Sequence, residues 1–164
     1  MTRGWASWIL LWAVASSRPA LADGACTAKD SRVVVETARH RLALCAAGRQ
    51  VAEFDVRLGR GGVGKTAEGD GKTPLGTYAL EAPRPSQRYG VFIPIGYPTA
   101  EQRSKGYTGG DIGVHGPHRR VRWLGSLVNT FDSSDGCLGL ATDDEINRIA
   151  AWVKQTHVRT IEIR

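Results

Sequence analysis

The stretch "RVVVETARHRLALCAAGRQVAEFDVRLG", Arg32–Gly59, decides the fold. Arg32 to Thr37 opens on a β-branched run. Arg41 to Gly48 alternates apolar and polar residues before ending on small ones. Gln50 to Gly59 alternates again through Val51, Phe54, Val56 and Leu58. Three such runs with short turns between them read as a strand meander. Downstream the pattern continues. "TPLGTYALE", Thr73–Glu81, is a turn followed by a strand. "YGVFIPIGYP", Tyr89–Pro98, is a strand whose prolines mark a sheet edge or bend. "GGDIGVHG", Gly109–Gly116, is a short buried strand ending in a glycine turn, and "VRTIEIR" is a closing strand. One helix stands out. In "TDDEINRIAAWVKQ", Thr142 and Glu145 have capping-box spacing, and Ile146, Ile149, Ala150 and Val153 make an i, i+3, i+4, i+7 stripe. The expectation is a mostly β, sandwich-like domain with one well-defined helix late in the chain, without repeats.

The first residues read as an export leader. Arg3 precedes the apolar "WASWILLWAVA", Trp5–Ala15, and "ALA", Ala20–Ala22, is a small-x-small cleavage site. Removing 22 of 164 residues leaves 142, enough for one domain with one core. The leader carries two arginines and no acid, so the formal charge falls from +6 to about +4. A mildly basic exported chain suits an anionic wall or headgroup surface. Export argues against nucleic acid as the partner of "HRRVRW", His118–Trp123. No second apolar run of membrane length follows, so no stable membrane insertion is expected after cleavage.

A phosphate-loop pattern occurs at "GRGGVGKT", Gly59–Thr66. No helical periodicity follows Thr66, and without a helix N-terminus the phosphates lose their main amide and dipole cradle. The match reads as coincidence.

Three cysteines in an oxidising compartment leave one over. Cys26 and Cys45 are the candidate pair. Cys137 is the odd thiol, in "SSDGCLGLATDDE", Ser133–Glu145, just ahead of the helix start. Three readings remain open from the residues alone. It is an inert core thiol, or a zinc ligand with His115, His118 and Asp132 or Asp135, or a nucleophile. As a nucleophile it needs an imidazole to take its proton. His115 in "GVHGP" stands at the end of a strand between glycines, and amides of the Gly136–Cys137 turn offer an oxyanion hole. His40 and His157 read as solvated surface residues.

The series "GKTPLGTY", "DIGVHG" and "SSDGCLGLATDDEI", in this order, resembles the L,D-transpeptidase catalytic domain, or YkuD domain, over about Arg32–Arg164. The resemblance implies a β-sandwich-like fold and a two-step acyl transfer on peptidoglycan stem peptides in the periplasm or wall. Cys137 is then the nucleophile, His115 the general base and acid, and Gly136 and Cys137 the oxyanion amides. No metal or organic cofactor is implied, and a monomer is expected. The chain departs from the common pattern Ser/Thr-His-Gly-Cys-hydrophobic-Arg. Asp135 stands at the histidine position and Gly139 at the arginine position. Asp135 is a candidate orienter of the His115 or His118 imidazole. Arg119, Arg120 and Arg122 are candidate substitutes for the missing cation. Hydrolysis of the same thioester, as an L,D-carboxypeptidase or amidase, is the rival outcome. A non-catalytic wall-binding module is the rival from another class.

Overall fold

The computed structural model describes residues 25–120, 123 and 134–164. The expected leader, residues 1–22, and the candidates Arg122 and Asp132 lie outside the described residues. Among the described residues, nine strands form two mixed sheets and two α-helices accompany them, with the longer helix late in the chain, as the sequence leads one to expect.

The first sheet has the order β3-β2-β1-β9-β4. The meander β1 (Arg32–Glu36), β2 (Arg41–Ala46) and β3 (Arg49–Asp55) is antiparallel, and β9 (Thr160–Ile163) pairs parallel with β1 and antiparallel with β4 (Gly76–Ala79). The expected third strand ran from Gln50 to Gly59; the ladder stops at Asp55. A bulge between Leu44 and Cys45 pairs Leu44 with Ala52 and Cys45 with Gln50, so Val51 is the extra residue and is exposed. Beyond it Phe54, Val56 and Leu58 keep the inward parity. The bulge explains why Val51 and Phe54 fit no single alternation.

Val33 and Val35 face the main core, while Val34 faces a second cluster with Ala43, Cys45, Ala25 and Cys26. The β1–β2 pair is therefore covered on both faces. The lead-in before β1 is the second cover, held by a Cys26–Cys45 disulfide.

The second sheet has the order β5-β6-β7-β8. It comprises β5 (Arg84–Ser86), β6 (Gly90–Pro94), β7 (Gly113–His115) and β8 (Leu138–Gly139). β6 lies between β5 and β7 rather than at an edge. Pro94 is its last residue, where a missing N–H costs the ladder least. The helix α2 (Asp143–Thr156) packs against β6 and buries Ile146, Ile149, Ala150 and Val153. Its capping box is present: Thr142 accepts the Glu145 N–H at 3.2 Å, and Glu145 accepts the Thr142 N–H at 2.9 Å. A short helix, α1 (Ala100–Ser104), carries a second box from Thr99 and Gln102.

Two isolated bridges tie the sheets together near Cys137. Arg57 pairs with Gly139, and Gly59 with Ser134. The chain leaving the first sheet thus runs along the outer edge of β8.

Candidate active site

His115 ends β7, and Cys137 immediately precedes β8. The strands are parallel, with Val114 opposite Leu138 and His115 opposite Gly139. Val114 and Leu138 point into the core, at 1% and 0% exposure. Alternation then sends Cys137, Gly139 and His115 to the other face. The register puts on one face the two residues that the sequence singled out, with Cys137 two positions before Gly139, the partner of His115.

Cys137 is held by the turn before it. The Ser134 hydroxyl donates to the Cys137 carbonyl at 2.7 Å and accepts the Gly136 N–H at 3.1 Å. Gly136 has φ 121°, and a Cβ there would sit 2.4 Å from the Lys72 carbonyl oxygen. Only glycine fits this turn. The Gly136 amide is thus engaged with Ser134, whereas no loop or turn bond among the described residues takes the Cys137 N–H. The thiol donates to the Asp111 carbonyl at 3.4 Å. Burial pushes its pKa up. The negative charges of Asp111 and Asp135 act the same way, against a backbone hydrogen bond at Gly113 and the Lys65 charge.

His115 is 4% exposed. Its ring stacks on Tyr89, with centroids 3.7 Å apart. Nδ1 is 2.7 Å from the Gly116 carbonyl, so in the neutral ring Nδ1 carries the hydrogen and Nε2 the lone pair. Nε2 is buried and meets no hydrogen-bond partner among the described residues. Burial lowers the His115 pKa to about 4. The Gly116 carbonyl opposes this, and the charges of Arg57, His118 and Arg88 reinforce it. Both shifts favour the uncharged forms, a thiol at Cys137 and a neutral imidazole at His115.

Asp135 is not the orienter of His115. Its carboxylate forms an ion pair with Arg60 and is largely exposed, while Gly116 occupies Nδ1. Nor does Asp135 reach His118, whose Nδ1 accepts the Arg120 N–H at 3.2 Å and whose ring stands edge-on to Tyr89. Among the described residues, no three His, Cys, Asp or Glu side chains gather as a metal would require.

Cys137 lines a cleft of about 600 Å3. Its cations are Arg84 and Arg88, from the "RPSQRYG" segment that carries β5. Arg84 lies over the Phe92 ring at 5.4 Å and Arg88 over Tyr89 at 5.9 Å. Arg119 and Arg120 line a second groove, of about 490 Å3, which shares Gln87, Arg88 and Tyr89 with the first. Sequence reasoning passed over Arg84, Arg88 and Tyr89. The available signal was a Pro- and Arg-rich run with an aromatic end, set between two strands.

The phosphate-loop pattern has another use. Lys65, its lysine, is buried and donates to Asp70 at 2.8 Å and to the Ala67 carbonyl at 3.1 Å. The Asp70 carboxylate also accepts the N–H groups of Thr66, Ala67 and Lys72. The loop is clipped shut on itself, with no helix behind it.

The model of the YkuD L,D-transpeptidase catalytic domain matches residues 30–163. No curated protein matches the chain. Among solved structures, the helical cell shape determining protein Pgp2 of Campylobacter jejuni is 26% identical, with a TM-score of 0.67, over 82% of this chain and 47% of that one. Bd1075 of Bdellovibrio bacteriovorus is 21% identical, with a TM-score of 0.60, over 82% and 47%. An L,D-transpeptidase from Xylanimonas cellulosilytica is 19% identical, with a TM-score of 0.50, over 90% and 64%. The chain thus spans about half the length of the first two. With the match covering most of its length, the chain belongs to the L,D-transpeptidase catalytic domain (YkuD) family.

Proposed function

We propose that the chain is an exported peptidoglycan L,D-transpeptidase, a cysteine acyltransferase acting in the periplasm or wall. The observation that supports the reading is the β7–β8 register, whose alternation puts Cys137 and His115 on one face of the sheet, with His115 Nε2 buried and without a partner among the described residues.

In this reading a stem peptide lies in the cleft with the carbonyl of its third-position diamino acid at Cys137. The thiol proton moves to His115 Nε2 as sulfur attacks, so the thiolate exists only in the act of bonding. The Cys137 amide, joined by Gly136 on release from Ser134, receives the oxyanion. The C–N bond to the terminal D-Ala breaks, the imidazolium gives its proton to the leaving amine, and a thioester remains. A neighbouring stem's amine then attacks the thioester and passes its proton to His115. The thiol leaves, and a 3→3 cross-link has formed. Arg84 and Arg88, and across Tyr89 Arg119 and Arg120, supply cations for stem carboxylates.

Hydrolysis is the second reading, because the same thioester can be resolved by water without any change of residues. Water in place of the amine makes the same residues a carboxypeptidase or amidase. Mass spectrometry of purified muropeptides after incubation separates the outcomes. Cross-linked dimers support transfer and trimmed monomers support hydrolysis. Absence of any product leaves a wall-binding module. Cys137→Ala is expected to lower product formation by at least about 1000-fold. Undiminished product would overturn the nucleophile assignment.

A further inference from the structure

Gly139 stands where the family pattern carries arginine, and the structure places another arginine over it. Arg57 and Gly139 exchange both backbone bonds: the Arg57 N–H donates to the Gly139 carbonyl at 2.8 Å, and the Gly139 N–H to the Arg57 carbonyl at 3.0 Å. On its other side Gly139 pairs with His115. Residues directly opposite one another on neighbouring strands share a face. His115, Gly139 and Arg57 therefore form one row, with a gap at its centre where glycine has no side chain.

The Arg57 side chain fills that gap. A Cβ built on Gly139 would lie 2.9 Å from Arg57 Nη2, 3.2 Å from Cζ and 3.3 Å from Nε. Nη2 also reaches the Leu140 carbonyl at 3.5 Å. The residue is only 8% exposed. A cation buried to this degree carries a desolvation cost, so its place beside the site is specified by the fold rather than by chance on the surface.

We propose that Arg57 is a positioning residue for the acyl-transfer pair, its guanidinium lying across Gly139 to hold His115 as the uncharged base and to drive the imidazolium, once formed, to release its proton. This rests on the reading of Cys137 and His115 given above. A cation along the row opposes a second positive charge on the imidazole. It makes His115 a weaker base toward the thiol and a stronger acid toward the leaving amine. Glycine at 139 is then required, because any side chain there would displace the guanidinium.

Other groups also face His115. Tyr89 stacks on the ring, Phe92 lies behind at 6.2 Å, and Arg88 and His118 add positive charge from the flanking loops. The Cys137 thiol shares its face. At the start of α2, Asp143 approaches Gly116, its Oδ1 3.3 Å from a Cβ built there. Among the cations, Arg57 weighs most on His115.

The test needs no peptidoglycan. The His115 imidazole is followed by NMR across pH in wild type, Arg57→Gln and Arg57→Lys, alongside the pH profile of Cys137 alkylation by iodoacetamide. Arg57→Gln is expected to raise the His115 midpoint, with burial still holding it below the ordinary histidine value, and Arg57→Lys to keep it near wild type. An unchanged midpoint in folded Arg57→Gln overturns the proposal. So does a wild-type midpoint at or above the ordinary histidine value, which keeps the test decisive even if the glutamine variant fails to fold. If the midpoints move as expected while no muropeptide is turned over, the acyl-transfer reading fails and the electrostatic role of Arg57 stands.

Discussion

Two regions of this molecule bury ionisable groups, and they treat them in opposite ways. In the Gly59–Gly71 loop the Lys65 side chain is 3% exposed, yet its ammonium meets Asp70 and a carbonyl, and Asp70 accepts three further N–H groups. At the β7–β8 seam His115 is equally buried, but Nε2 is left without a partner among the described residues, and the Cys137 thiol has only long or weak contacts. The first arrangement is satisfied and holds a shape. The second leaves a buried lone pair unmatched, and in the proposed mechanism that lone pair takes the Cys137 thiol proton. Burial alone did not separate the two. The tally of donors and acceptors did.

The largest expected break in this comparison comes from His115→Asn. The amide can still donate to the Gly116 carbonyl, but the base is gone. Turnover should fall by about 100- to 10,000-fold. Stability at neutral pH should hold, and its pH dependence should change. The folded-state pKa of His115 is lowered, so the unfolded chain binds the proton first. Its penalty is absent above about 6.5. It grows as pH falls from 6.5 to about 4, reaching roughly 3 kcal/mol, and is constant below. Urea unfolding at a series of pH values should show this slope in wild type and lose it in His115→Asn. A slope that survives the substitution would show that His115 is not the buried free base described above.

Asp70→Asn should do the reverse. Burial alone would raise the Asp70 carboxyl, but Lys65 and the amides of Lys72, Ala67 and Thr66 hold it well below the usual carboxylate range. The contribution of the carboxylate is present above its ordinary value of 3.8 and is lost as pH falls below it. Removing the charge leaves Lys65 buried without its counter-ion, which should cost about 3 kcal/mol at neutral pH. Turnover of the protein that remains folded should drop far less than in His115→Asn. The two variants thus act in separate pH windows, one between 6.5 and 4 and one below 3.8. A large loss of turnover in well-folded Asp70→Asn would mean that the loop does more than hold a shape.

Much of this was legible in the residues. The α2 helix announced itself through its capping box and apolar stripe, and the meander through its alternation. Cys137 and His115 stood out by motif, and the register of β7 with β8 is what places them on one face. The bulge at Val51 was not legible, because a one-residue slip is settled by how Leu44 and Cys45 pair across the sheet. The helix α1 was missed although Thr99 and Gln102 have capping-box spacing, since five residues without a buried side chain leave no apolar period to read. Asp135 drew attention by standing in the turn before Cys137, and sequence adjacency misled: its carboxylate pairs with Arg60. Arg57 was hidden for the opposite reason. It lies 82 positions from Gly139, and only the pairing of distant strands brings them together.

The smallest expected effect concerns the cleft's own cations, and it sharpens the contrast between groups that react and groups that only hold. Arg84 and Arg88 line the same cleft as Cys137 but lie over aromatic rings rather than against the reacting atoms. Exposed cations of this kind attract a carboxylate through high-dielectric solvent, where a single charge pair contributes up to about 1 kcal/mol. Arg84→Gln or Arg88→Gln should therefore raise KM for a stem peptide by up to about fivefold, with kcat little changed and the effect fading as salt is added. The same substitutions at Arg119 and Arg120, in the neighbouring groove, set the scale. If they raise KM more than Arg84 and Arg88 do, the substrate crosses the Tyr89 wall and the second groove is where its carboxylates lie. If kcat falls instead of KM rising, the arginines touch the transition state, and the division between holding and reacting groups runs through the cleft rather than beside it.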